Sequence, residues 1–169
     1  MSLEQVFANL GPILFYAFGA IAVAAALFMV VQRNPIYSAF GLIVTLCSLS
    51  AIFGLLGSPF IAVLQVVVYA GAIMVLFLFV IMLLGVKAED KTSGSTLKAV
   101  AVALTLALAA EMGVVLLRAD QPPASSLDAS TRAVAHVLFS APYLYAFEAT
   151  SILILAALVG SIVLARRDA

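Results

Sequence analysis

Two carboxylates interrupt otherwise apolar sequence. Glu111 stands in Leu-Ala-Ala-Glu-Met-Gly and Glu148 in Ala-Phe-Glu-Ala-Thr. A carboxylate held among apolar residues of membrane-spanning length is costly. It is by default a candidate for carrying protons or for pairing with a neighbour. On straight helices both would lie roughly 8 Å below the same membrane boundary. The bland alternative is that each reaches water or meets a partner subunit there. A third constellation is Gln65, Tyr69 and Gly71. Gln65 and Tyr69 are four apart and share a helix face, and a polar face within a membrane turns toward protein or water. Tyr69 would sit roughly 13 Å into its span, where its hydroxyl wants a partner; the competing reading is a packed core tyrosine. Gly71 permits close backbone approach. Met74 and Met82 read as adaptable filler. His136, the one histidine, falls on a short surface helix, where a ligand role is disfavoured. The sequence holds no phosphate-binding loop, nucleophile triad or metal-ligand cluster.

The elements that must position these residues can be read from composition. Of 169 residues, 66% are hydrophobic and 9% charged, and mean hydropathy is +1.26. Such a chain is an integral membrane protein. A net charge of zero gives no reason to expect nucleic-acid binding. The single cysteine, Cys47, excludes an intrachain disulfide and a cysteine-held cluster. There is no Trp, so interfacial anchoring falls to Tyr.

The fold class expected is all-α: a single membrane domain over residues 1–169, with five transmembrane helices over residues 10–31, 36–57, 60–85, 97–117 and 143–165. The N-terminal residues lack the basic start of a signal peptide. Asn9 reads as a cap before Pro12. Asn34-Pro35 reads as cap plus first helical residue, and Ser58-Pro59 repeats the device. The second and third spans should therefore be antiparallel neighbours across a tight hairpin. The third span carries no charge and has about 26 residues, roughly 39 Å as a helix, where about 20 residues suffice. Residues 87–96 read as a solvated loop. After Pro122-Pro123, with Ser125, Ser126 and Asp128 as caps, Val134, Val137 and Leu138 give a short helix an apolar edge to lay on the surface.

Five spans place the termini on opposite sides. Arg33, Lys87, Lys91, Lys98, Arg166 and Arg167 fall on one side, Arg118 and Arg132 on the other. The basic side is cytoplasmic, so the N-terminus is expected outside and the C-terminus in the cytoplasm.

Residues 66–83, Val-Val-Val-Tyr-Ala-Gly-Ala-Ile-Met-Val-Leu-Phe-Leu-Phe-Val-Ile-Met-Leu, closely resemble the third helix of the J-chain family of bacterial proton-pumping NADH:quinone oxidoreductase, respiratory complex I. Asn34-Pro35-Ile36-Tyr37-Ser38-Ala39 resembles that family's first connection, and Phe147-Glu148-Ala149-Thr150-Ser151 its last helix. The resemblance covers nearly the whole chain. Residues 87–96 and 118–141 show no clear match.

The resemblance implies a multi-pass subunit of the bacterial inner (plasma) membrane, in the lipid bilayer beside the quinone module and the antiporter-like subunits. It implies no cofactor in this chain; NADH, FMN, iron–sulfur clusters and quinone (ubiquinone in some systems) belong to partner subunits. It implies a coupling role: the third helix can carry a π-bulge near Tyr-Ala-Gly, and exchange between bulged and regular helix gates a water path, with Tyr69, Gly71, Met74 and Val75 the residues concerned. Glu111 and Glu148 are the candidates for a proton path. A bulge inserts one residue into a turn and rotates all later residues of the helix by about 100°, so Tyr69 and the bulky face of Met74, Val75 and Phe77 would exchange positions. The alternative is a subunit of a related cation/proton antiporter complex, or a stand-alone channel without redox chemistry.

Overall fold

The computed structural model describes residues 3–85, 95–118 and 128–166. Every regular element among them is helical: α1 (Leu3–Val31), α2 (Pro35–Leu55), α3 (Pro59–Leu64), a π-helical segment (Gln65–Ile73), α4 (Met74–Leu84), α5 (Ser95–Arg118), α6 (Thr131–Leu138) and α7 (Ala141–Ala165). Five stretches are long and apolar enough to cross a membrane: Leu10–Val31, Pro35–Leu55, Pro59–Leu84, Ala99–Arg118 and Ala141–Ala165. The third is continuous through α3, the π segment and α4. The five expected spans are thus present, each within three residues of its expected limits, and the chain is a multi-pass membrane protein.

Local chemistry explains most boundaries. Asn34 is the N-cap of α2: its side chain accepts from the Ile36 amide at 3.0 Å, and Pro35 opens the helix. At the other end Gly57 takes φ +77°. Gly57 N donates to Gly54 O and Ser58 N to Phe53 O, the paired bonds of a Schellman cap, which needs the left-handed residue that glycine supplies. The chain reverses there, and α3 starts at Pro59. Gly85, at φ +57°, ends α4 in the same conformation.

Three expected caps differ. Asn9 starts nothing, because α1 already runs from Leu3 and Pro12 lies within it. Ser58 stands at the N-cap of α3 but makes no side-chain cap bond; the Schellman geometry fixes its backbone instead. For α6 the cap is Ser130, whose hydroxyl accepts from Ala133 N at 3.3 Å. Asp128 acts one step earlier and accepts from Ser130 N at 2.9 Å. Ser125, Ser126 and the expected loop over residues 87–94 lie outside the described residues.

The first three spans form one packed body. Gly41 lets α1 and α2 approach closely: a Cβ there would stand 3.1 Å from Ala25 O and 3.2 Å from Met29 Cα. Ser38 Oγ donates across the same contact to Met29 O at 2.9 Å. On its other flank α2 carries the third span. Ser50 Oγ donates to Ala62 O at 2.7 Å, and Ala39, Met74 and Ile81 form a buried apolar cluster with Leu42, Ile43, Leu46 and Leu78. Between membrane helices such packing and hydrogen bonds, rather than water exclusion, provide the attraction. Among the described residues α5 packs extensively against no other element, and α7 packs extensively against α6 alone.

Candidate functional site

The π segment occupies nine residues, Gln65 to Ile73, in the middle of the third span. π-helical turns are rare and concentrate at functional sites. Regular helix lies on both sides of this one. At its exit Met74 N donates to Tyr69 O, five residues back.

Its effect shows in the buried face. Going down the span, the residues turned toward protein are Ala62, Gln65, Ala70 with Gly71, Met74, Leu78 and Ile81. The steps are three or four everywhere except from Gln65 to Ala70, which is five. One residue has been absorbed, and the inward face below it is displaced by one position. Met74 is 4% exposed, whereas Tyr69 is 51% and Val75 60% exposed.

Four expected site residues therefore lie on one element but not on one face. Met74 sits in the α2 contact. Tyr69, Val75 and Phe77 point away from it, and the expectation that Met74 shares a face with Val75 and Phe77 is corrected. The reason is helical angle: Met74 and Val75 are one residue, about 100°, apart. Gln65 is half-buried and Tyr69 exposed, and Tyr69 makes no hydrogen bond to another described residue.

Gly71 is tied to this geometry. A Cβ built on it would lie 3.1 Å from the Val66 carbonyl oxygen, five residues back. That carbonyl is the one a π turn brings beneath residue 71. The glycine keeps that close contact out of the bulged turn.

Glu111 and Glu148 are not brought to this site. Glu111 lies on α5, seven residues before Arg118, and Glu148 on α7, seven residues after Ala141. Both sit about 10 Å from the end of their helices, slightly deeper than expected because the helices are longer. Both are exposed in the single chain, on helices that do not pack extensively against the third span. No group of three or more potential metal ligands occurs among the described residues. Sequence reasoning missed Gly41 and Ser50, which join α2 to its two neighbours; a small or hydroxyl residue in an apolar span is the available signal.

Residues 25–164 match the family NADH-ubiquinone/plastoquinone oxidoreductase chain 6. The chain is 39% identical to the NADH-quinone oxidoreductase subunit J of Pseudomonas aeruginosa, over 92% of this chain and 96% of that protein. It is 37% identical to the subunit J of Escherichia coli K12, over 86% and 81%. It is 38% identical to the NAD(P)H-quinone oxidoreductase chain 6 of a Synechocystis strain, over 91% and 80%. With five membrane spans and a match that reaches from the first of them into the last, the chain belongs to the NADH-ubiquinone/plastoquinone oxidoreductase chain 6 family, as a multi-pass inner-membrane subunit of respiratory complex I.

Proposed function

We propose that this chain is a non-redox coupling subunit, in which the third span exchanges between its π-bulged form and a regular helix and so opens and closes a water path for protons. The supporting observation is the π segment with Gly71 in the crowded position. The upper part of the span is anchored by the Ser50–Ala62 bond and the Gly57 reversal. With that part fixed, removing the extra residue moves each later residue to the place of the one after it. Ile73 takes the site of Met74, Phe77 that of Leu78, and Val80 that of Ile81. Tyr69 turns toward the site of Ala70, which is 7% exposed. A tyrosine replacing a buried alanine changes both the space and the polarity beside α2.

In this reading NADH, FMN, iron–sulfur clusters and quinone are held by partner subunits, and the chain alone has no turnover. Its neighbours are the quinone module and the antiporter-like subunits, its N-terminus lies outside and its C-terminus in the cytoplasm. Glu111 and Glu148 are on helices free to meet those neighbours and are the proton-path candidates.

The test is to place Gly71→Val and Tyr69→Phe in the assembled complex and to measure NADH:quinone activity and proton pumping together, normalised to complex content. Gly71→Val should lower pumping per NADH oxidised. Wild-type pumping in both variants at wild-type assembly would remove these positions from the gate.

A further inference from the structure

α7 carries Glu148 and, among the described residues, packs extensively against α6 alone. Leu144 and Phe147, each 37% exposed, are the most covered of its large apolar side chains. Against Phe147 stands the ring of Phe139, at the end of α6, packed edge to face at 5.0 Å. Only Phe139 and Ser140 join the two helices. Ser140 Oγ donates back to Val137 O at 2.6 Å, and the amides of Tyr143 and Leu144 donate to Ser140 O at 3.0 and 2.9 Å. The corner is thus bonded on both sides of its hinge, and the aromatic pair closes it from above α7.

Glu148 is next to the clamped residue. It lies one position, about 100°, round the helix from Phe147, and four positions, about 40°, from Leu144. Its carboxylate therefore flanks the side of α7 that α6 covers. The turn that carries it is also held from below: Thr150 Oγ1 donates to Phe147 O at 2.6 Å. Within this chain α7 has no other extensive contact to fix its rotation. A carboxylate on a helix surface stands about 5 Å from the helix axis, so a turn of about 20° moves it by roughly 2 Å. A hydrogen bond that passes a proton spans about 2.6–3.2 Å between heavy atoms and would not survive that displacement.

We infer that Phe139 is a positioning residue for Glu148: by closing the α6–α7 corner on Phe147, it sets the rotation of α7 and so the direction in which the carboxylate is presented. The inference rests on Glu148 belonging to the proton path. Phe139 carries no titratable group and acts through α7 alone.

The test is a double-mutant cycle in the assembled complex, in vesicles of its own membrane, reading proton pumping per assembled complex. Glu148→Gln should lower pumping. Phe139→Ala should shift the balance between the held and the turned positions of Glu148 by about two- to tenfold, the equivalent of one aromatic pair, and lower pumping in its turn. Added to Glu148→Gln, Phe139→Ala should lower pumping no further, because the group it positions is already gone. Phe139→Tyr keeps the ring and should restore wild-type pumping. Phe147→Leu keeps apolar volume on α7 but removes the ring pair; it should reproduce the Phe139→Ala loss, and it carries the test where Phe139→Ala does not assemble. Wild-type pumping in Glu148→Gln would remove the carboxylate from the proton path and this inference with it. Lowered pumping in Glu148→Gln beside wild-type pumping in Phe139→Ala and Phe147→Leu, or additive losses in the double variant, would overturn the positioning role and leave the carboxylate's own role standing.

Discussion

The body made by α1, α2 and the third span differs from α5 and α7, although all five stretches have the hydropathy of membrane spans. The difference lies in where small and hydroxyl residues are spent. In the first body Thr45 and Ser48 bond within α2, but Ser38 and Ser50 donate to carbonyls of a neighbouring helix, and Gly41 admits α1 to contact distance. In the second set Thr105 donates to Ala101 O and Thr150 to Phe147 O, each within its own helix. Gly113 and Gly160 have nothing beyond their own helix turn within 4 Å of a Cβ position. Apolar character puts a helix in the bilayer. Because lipid is as apolar as leucine, it does not choose the helix's neighbour. The faces of α5 and α7 are exposed in the single chain.

The sharpest way to break this contrast is at its glycines. Gly41→Leu should separate α1 from α2 and abolish accumulation of assembled complex. Gly41→Ala should destabilise by about 1–3 kcal/mol through overpacking, lowering assembled complex on native gels. Gly113→Ala should be neutral or slightly stabilising for the chain itself. If it also prevents assembly, a neighbouring subunit packs on α5 at that point, and the contrast becomes one between contacts inside the chain and contacts outside it.

Gly71→Ala comes next, because it acts within the packed body without loosening it. In the bulged form the added methyl meets Val66 O at 3.1 Å. A shift of about 1.4 kcal/mol alters a two-state ratio about tenfold. Proton pumping per NADH should fall at near-normal assembly; loss of assembly instead would make Gly71 a packing residue like Gly41. Smaller again is Ser50→Ala. A hydrogen bond between membrane helices contributes about 0.6 kcal/mol, so the thermal inactivation temperature of the complex should drop slightly. Thr105→Ala, whose bond crosses no interface within the chain, should leave it unchanged.

The smallest effect concerns pH. Ser130, through its side chain first and its backbone amide second, holds the Asp128 carboxyl below its ordinary value of 3.8. A depressed folded value means the carboxylate stabilises the turn above the ordinary range, and the contribution is lost as pH falls through the lowered value. Since Asp128 is fully exposed, only the order of α6 should respond, not the bundle. Amide exchange of the α6 segment should quicken in acid in wild type and be pH-independent there in Asp128→Asn, once the intrinsic pH dependence of exchange is divided out.

What was legible in sequence was what local chemistry decides. Length and apolarity located the spans, Asn34-Pro35 marked a helix start, and surplus length with Gly71 pointed to the third span. What was not legible depends on contacts distant in sequence or on competing local geometry. Ser58 looks like a cap but lies at the end of a Schellman turn that already dictates its backbone. Met74 looks equivalent to Val75 until the absorbed residue sets which of them meets α2. Gly41 and Ser50 gain their roles only from Ala25 and Ala62. No partner of Glu111 or Glu148 is supplied by this chain's described helices.

The anchored start of the third span has a mechanical consequence. A helix held at one end cannot dissipate a change of register at that end. Straightening the bulge would turn the length below it by about 100° and advance it by about one residue rise, roughly 1.5 Å. The motion is that of a screw whose head is clamped by Ser50 and Gly57 and whose tip is Gly85. In the proposed exchange, rotation would reach α2 directly along the span, while the axial stroke would be delivered at the opposite face of the membrane. A single event at Tyr69 and Gly71 would thereby produce two outputs, a twist within the bilayer and a thrust at its surface.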